Sequence, residues 1–276
     1  MAGMMANTKN QSDRLSDSTP SEIWQKICVE AQIAAMDEPV LAGFLQTTIL
    51  NHDNLGKALS YHLASKLDSS ATPILMLRDT FAKAFAHHDI AAQIALDISA
   101  TFHRDSACSQ YISPFLYYKG FLALQSYRAA HNLWMQGHQS LALLLQHQVS
   151  LKFAVDIHPA ARIGAGVMLD HATGLVVGET AVIEDCVSIM QSVTLGGTGK
   201  ESGDRHPKIR RGVLIGPGAK ILGNIDVGEG AMVAASSVVL KPVPPHAVVA
   251  GVPAAIIGRV DCDEPSKAMN HYFNCD

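Results

Sequence analysis

The chain has 276 residues, enough for one large domain or two, and its 48% hydrophobic content can fill a complete core. Only 17% of residues are charged, the formal net charge is −4, and there is no basic stripe of the kind a phosphate backbone demands, so nucleic acid is excluded as a partner. No apolar run approaches the length that spans a bilayer, and an odd set of five cysteines without a CxxC pair reads as reduced thiols of a cytoplasmic protein.

Residues 1–20, MAGMMANTKNQSDRLSDSTP, are polar and lack the apolar stretch of a signal peptide, so a disordered tail is expected. Residues 21–154 read as an all-helical domain. Ser21 is a candidate cap for a helix beginning EIWQKICVEAQIAA, with Ile23, Ile27, Ala31 and Ala34 on one face, and Asp37-Glu38-Pro39 ends it. Further helices are expected near 39–51, 53–68, 73–87 and 90–102. A polar link, HRDSACSQYISP, then leads to one long helix over FLYYKGFLALQSYRAAHNLWMQG and a last one over SLALLLQHQVSLKFA.

From Ile157 the chain counts in sixes. Aliphatic residues stand at Ile157, Ile163 and Leu169; the count slips by two and resumes at Val177, Ile183, Ile189 and Leu195; after a polar interruption it returns at Ile209, Ile215, Ile221, Val227, Val233 and Val239. Small or branched residues follow four places later, from Ala161 to Val243, Thr173 and Gly199 included. Neither a helix nor a half-buried strand has this period. Hexapeptides that each form a short strand and a corner do, three of them (about 18 residues) closing one triangular coil of a parallel β-helix. The fold class is therefore α+β: an N-terminal helical domain, a β-helix over 155–260, and a C-terminal tail, 261–276, expected to be loose or docked on a neighbouring subunit.

Loops ejected from a rigid scaffold are where chemistry is expected. The slip at LDHATGLV carries His171, whose imidazole chemistry suits a general base. Asp156, 15 residues earlier, is a candidate orienting acid, but less than one coil away it is no stacked neighbour; pairing needs a favourable corner or a second subunit. The interruption GGTGKESGDRHPK carries Arg205 and His206, a cation pair able to grip a carboxylate. Its Gly-rich start leads into no helix, so it is no P-loop. His158, His171 and His206 are too scattered in sequence for a metal site.

The stretch from DIHPAARIGAG to GAKILGN, with its LDHATG and GGTGK…GDRHPKI motifs, and the helical segments NLGKALSYHLASKL and RDSACSQYISPFLYYKGFLALQSYR, resemble the bacterial serine O-acetyltransferases over nearly the whole chain. The resemblance implies a left-handed winding of the coils and acetyl transfer from acetyl-CoA to L-serine, the first step of cysteine biosynthesis from serine, without a metal. It implies His171 as base with Asp156 behind it, Asp105 and Asp170 on the serine ammonium, and Arg205 and His206 on its carboxylate. Gly197 and Ala235 would lie along the CoA arm. It further implies L-cysteine as an inhibitor at the serine site and trimers paired through their helical halves into a hexamer. Two departures stand out. Pro217 replaces an Ala common beside the CoA groove. The chain ends Phe273-Asn274-Cys275-Asp276, without the terminal isoleucine through which many relatives engage O-acetylserine sulfhydrylase, which puts that complex in doubt. The competing readings are an acyltransferase for a sugar or antibiotic on the same scaffold, and a non-catalytic binding protein.

Overall fold

The computed structural model describes residues 19–70, 72–199 and 202–270. Helix α1 (Pro20–Asp37) is capped by Thr19, not Ser21: the Thr19 hydroxyl accepts the Glu22 N–H while the Glu22 carboxylate accepts the Thr19 N–H, and Pro20 takes the first helical position. Thr19 and Pro20 thus belong to the fold; residues 1–18 lie outside the described residues. A 3-10 turn (Pro39–Leu41), helix α2 (Ala42–Leu45) and a π turn (Gln46–Leu50) fill the next stretch. Helices α3 (Leu55–Leu67), α4 (Ile74–Phe85) and α5 (His88–Arg104) follow. The single long helix expected after the polar link is two: α6 (Ile112–Tyr117) and α7 (Lys119–Met135), broken where Tyr118 takes an extended ψ of 105°. Helix α8 (Gln139–Phe153) ends on Ala154 in the left-handed region. Among the described residues no helix is long and apolar enough to cross a membrane.

The chain then winds into coils. The first is β1 (Val155–Ile157), β2 (Arg162–Ile163) and β3 (Met168–Leu169); the second β4 (Leu175–Val177), β5 (Val182–Ile183) and β6 (Ser188–Ile189). The third is β7 (Thr194–Gly196), β8 (Lys208–Ile209) and β9 (Leu214–Ile215); the fourth β10 (Lys220–Leu222), β11 (Asp226–Val227) and β12 (Met232–Val233). Strand β13 (Val238–Val239) leads to a hairpin of β14 (Ala247–Gly251) and β15 (Ala254–Arg259). Every third strand pairs in parallel, giving a first face β1-β4-β7-β10-β13, a second β2-β5-β8-β11 and a third β3-β6-β9-β12-β14 closed by antiparallel β15.

The aliphatic series is buried on the prism axis, from Ile157 to Val239. The small or branched residues two places ahead of each are buried too, Ile225 in part, because they turn inward at the corner. At the two interruptions the expected corners were Thr173 and Gly199. Both are exposed, and Leu175 and Pro207 take the inward places instead: the extra residues are inserted before the corner, so the core stays in phase.

The helical half sits on the first coils through a buried ion pair. Asp97 accepts from Arg128 Nη2 at 2.7 Å, Gln125 Nε2 at 3.0 Å and the Val167 N–H at 3.0 Å, while Arg128 also donates to the Gly164 carbonyl at 2.7 Å. The C-terminal segment, expected to be loose or docked on a neighbour, packs on its own chain as far as it is described. In α9 (Pro265–Ala268) the Ser266 hydroxyl donates to the Cys186 carbonyl and its N–H to the Gly212 carbonyl at 3.3 Å, while Val260 and Met269 cover Leu214, Met232 and Val248 on the third face. The apolar outer side of that face supplies the reason.

One buried group in the helical half makes stability depend on pH. His62 stacks on Phe115 and bonds the Leu116 carbonyl, and burial, with Lys66 nearby, holds its pKa down at about 4. The folded ring is neutral. Unfolding releases an imidazole of ordinary pKa 6.5, so the stabilisation is complete above that value and is lost as pH falls from there toward 4. The expected loss is up to about 3 kcal/mol. His62→Phe should flatten the acid side of a plot of thermal midpoint against pH; an unchanged slope would assign the acid sensitivity elsewhere.

Candidate active site

The slip between β3 and β4 is a five-residue corner, 170–174, joining the third face to the first. His171 and Ala172 both take left-handed backbone, φ 53° and 57°, followed by Gly174 at 74°. Consecutive left-handed non-glycine residues are costly and mark a corner whose shape the surroundings impose. Ala172 is buried; the His171 ring projects outward, its side chain 72% exposed, with Nε2 3.8 Å from Asp170 Oδ1. Below it on the same corner stand Ser192, Gly218 and Ser236, all left-handed. They form a column tied by N–H groups of Ser192 to Thr173 O, Gly218 to Gln191 O and Ser236 to Pro217 O, at 2.8–2.9 Å.

Two helix ends close on this corner. Arg104, the last residue of α5, is buried and donates to the Val187 carbonyl at 3.3 Å and Ser188 Oγ at 3.0 Å. That anchor delivers the next residue, Asp105, whose Oδ1 accepts the Ala107 N–H at 2.8 Å. Burial, and the nearby Cys108 and Asp105, push the Tyr118 phenol far above its usual range. Lys119 Nζ donates to Thr173 Oγ1. Gly120 then passes so close that a methyl group built on it would lie 2.0 Å from the Leu169 carbonyl oxygen. Asp105, Tyr118, Lys119, Gly120, Asp170 and His171 share a cavity of about 370 Å³. It presents two carboxylates and an imidazole, suited to an ammonium group beside a hydroxyl to be deprotonated.

Arg205 and His206 occupy the next corner, between the first and second faces, where the ejected loop folds back on residues 178–181. Arg205 Nη2 donates to Glu179 Oε2 at 2.8 Å, and this pairing holds the Glu179 carboxyl below its usual range. His206 is 7% exposed; burial, then the Arg205 charge, lower its pKa. Its ring lies over Gly178, where a methyl group would meet Nε2 at 2.0 Å. One chain therefore does not bring His171 together with Arg205 and His206: a first-face strand, about 10 Å long, separates the corners.

Asp156 is on β1, level with Val176 of that first face, and its Oδ1 accepts from Gln146 Nε2 at 2.7 Å. Within the chain its charge acts on His158. Gly197 lies on the ejected loop against the Arg205 side chain. Ala235 is exposed on the His171 corner three coils further along, about 14 Å down the axis. Of the three candidate metal histidines, His158 and His206 share one corner and His171 stands at the other. Sequence reasoning missed Gly120, which looks like an ordinary mid-helix glycine, and Thr180, whose hydroxyl organises the Arg205–His206 corner.

A coil counted in sixes, with its reactive groups gathered where the count breaks, is the build of the hexapeptide-repeat transferases, and this chain falls in that class. A profile described as "Bacterial transferase hexapeptide (six repeats)" matches residues 206–241, and one described as "Serine acetyltransferase, N-terminal" matches residues 23–126. The serine acetyltransferase of Escherichia coli strain K12 is 59% identical over 253 residues, 91% of this chain and 93% of that protein. A solved serine acetyltransferase in complex with cysteine superposes with a TM-score of 0.90 at 56% identity, covering 92% of this chain and all (100%) of the other. The Brucella abortus S19 serine acetyltransferase in complex with coenzyme A gives 0.85 at 54% identity, covering 87% and 96%. The chain belongs to the serine acetyltransferase family.

Proposed function

We propose that this chain transfers the acetyl group of acetyl-CoA to the hydroxyl of L-serine, giving O-acetyl-L-serine and CoA, in a site shared by two protomers. The observation that carries the reading is the cavity in which Asp105 and Asp170 face the same space as His171. Serine's ammonium sits between the two carboxylates. Its hydroxyl then meets His171, which takes the proton as oxygen attacks the thioester carbonyl; the proton later leaves with the CoA thiol. The thioester is already activated, and N–H groups near the ejected loop stabilise the oxyanion.

The serine carboxylate goes to Arg205 and His206 of a second copy. Laid corner to corner, two prisms join one chain's His171 corner to the other's cation corner, and three copies close a ring about an axis facing the first face. Asp156, Val176, Thr194, Lys220 and Val238 point outward there, so the same packing offers Asp156 to a neighbour's His171. The pantetheine arm of acetyl-CoA runs down the groove between prisms, past Ala235 of one and Gly197 of the next. An exposed apolar stripe, Val29, Ile33, Met36 and Val40, supports pairing of trimers through the helical domain, 21–154. L-Cysteine carries the same ammonium and carboxylate as serine and competes for the site. A cytoplasmic setting accords with Cys28, Cys108, Cys186 and Cys262, which are free thiols. Residues 271–276, on which a sulfhydrylase contact would depend, lie outside the described residues.

The test is thiol release from acetyl-CoA with L-serine, against a panel of sugars, repeated with cysteine. Turnover with serine alone, and inhibition by cysteine that added serine relieves, are expected. Turnover of a sugar in preference to serine, or cysteine binding that survives loss of both Asp105 and Arg205, would overturn the shared-site reading.

A further inference from the structure

The ring of His206 is held through a single nitrogen. The Thr180 backbone N–H donates to Nδ1 at 3.2 Å. A backbone amide can only donate, so Nδ1 must offer a lone pair. The Thr180 hydroxyl oxygen lies 2.8 Å from the same nitrogen. That oxygen accepts the backbone N–H groups of Arg205 at 3.0 Å and His206 at 3.2 Å. Both of its lone pairs are thereby used, so its remaining role is to donate. That proton has two acceptors in reach, Nδ1 and the Asp204 carboxylate, which Lys208 Nζ also binds at 2.6 Å. With the Thr180 backbone N–H on Nδ1, the proton of a neutral ring resides on Nε2.

We propose that Thr180 is a positioning residue that fixes His206 in its Nε2–H tautomer and so presents a neutral hydrogen-bond donor to the serine carboxylate beside the charged Arg205. The placement of serine rests on the reading above; the tautomer rests on the contacts of Thr180 alone. The arrangement has a chemical logic. A second full charge next to Arg205 would be repelled and, at this depth, poorly solvated, and burial already keeps the ring neutral. A neutral donor adds a directed bond to the carboxylate without that penalty. It also shapes selectivity: an acceptor at the same point would repel the carboxylate that every amino-acid acceptor carries. Thr180 never touches the substrate. It acts through the ring, through the absence of a side chain on Gly178, over which the ring lies, and through the two backbone N–H groups that set the course of the loop.

The experiment has a spectroscopic and a kinetic arm. Ring-nitrogen-labelled histidine in the full-length enzyme, without substrate, should show Nε2 protonated and Nδ1 bare at His206. The pattern should persist in Thr180→Ser and keep a reduced Nε2 bias in Thr180→Val, where the backbone N–H is the donor that remains on Nδ1. In kinetics, glutamine places an amide N–H near the position of Nε2, whereas asparagine places one near Nδ1, facing the Thr180 donors. His206→Gln should raise KM for serine only about threefold and His206→Asn about tenfold or more, with KM for acetyl-CoA within about twofold in both. Comparable thermal midpoints for the two variants exclude misfolding as the source of the difference. A protonated Nδ1 in the wild-type enzyme, or an asparagine variant that binds serine as well as the glutamine variant, would overturn the proposal. Serine kinetics identical in wild type and both variants would instead remove His206 from the serine site, the tautomer spectrum standing apart from that result.

Discussion

Replacing His171 with alanine is expected to lower kcat for serine acetylation by about 10²- to 10⁴-fold, with a much smaller change in KM for either substrate. The size follows from what is removed. Without the imidazole the hydroxyl must lose its proton to water, while in the proposed site Asp105 and Asp170 still hold the ammonium and the thioester still arrives activated. Alanine alone confounds two effects, because position 171 has a φ of 53°, a region that histidine adopts more readily than alanine. Asparagine adopts that region more readily and keeps a polar group at the corner, but it cannot act as the base. His171→Asn and His171→Ala should therefore be slow to a similar degree, and their thermal midpoints should separate backbone strain from chemistry. Turnover unchanged in both would end the assignment of this residue as the base.

Gly120→Ala should cost nearly as much, at a residue that never meets the substrate. The added methyl group would lie 2.0 Å from the Leu169 carbonyl oxygen and 3.2 Å from the Ala172 side chain. Carbon atoms in contact need about 3.5 Å or more. Neither neighbour can swing away: one is backbone of β3, the other is a buried corner residue. The first turn of α7 must retreat, or the 170–174 corner must move. Either shift separates Asp105, which arrives with the helices, from Asp170 and His171, which belong to the coil. A displacement of about 1 Å at a reacting centre costs on the order of 10²-fold, and overpacking of this kind destabilises by about 1–3 kcal/mol. The expected result is a fall of about 10²-fold in kcat/KM for serine with a lowered thermal midpoint. Gly43→Ala is the control, since nothing lies within 4 Å of a methyl group built there. Full activity in Gly120→Ala would mean that the helix and the corner are not in register.

The β-helix was legible because its period is written by the core itself: each coil repeats the same inward demand, so Ile157 through Val239 announce the prism without reference to any neighbour. The same regularity exposes its own breaks, which is why His171, Arg205 and His206 could be singled out by position. Asp105 could not. It is one aspartate in a polar link, and only the fold carries it to the corner, through Arg104 reaching Val187 and Ser188. The break at Tyr118 was invisible for a related reason: FLYYKGFLALQ has helical composition throughout, and the kink answers the need to bring Gly120 against Leu169. Thr180 resembles any other corner residue until the loop that returns eight extra residues to it is folded. Contacts made within a few residues leave a trace in the sequence; those made by distant backbone closing on a side chain leave almost none.

The column of left-handed residues descending from His171 through Ser192 and Gly218 to Ser236 makes the prism a graduated ruler. Each coil advances the same corner by about 4.8 Å, so the span from the reacting centre to Ala235 is quantised in whole steps and cannot drift. A gene that gained or lost one complete coil between those marks would keep every inward residue in phase and remain foldable, yet on the proposed course of the pantetheine arm would misread the length of that ligand by a full division. The count of coils, ordinarily a matter of stability alone, is here also a calibration.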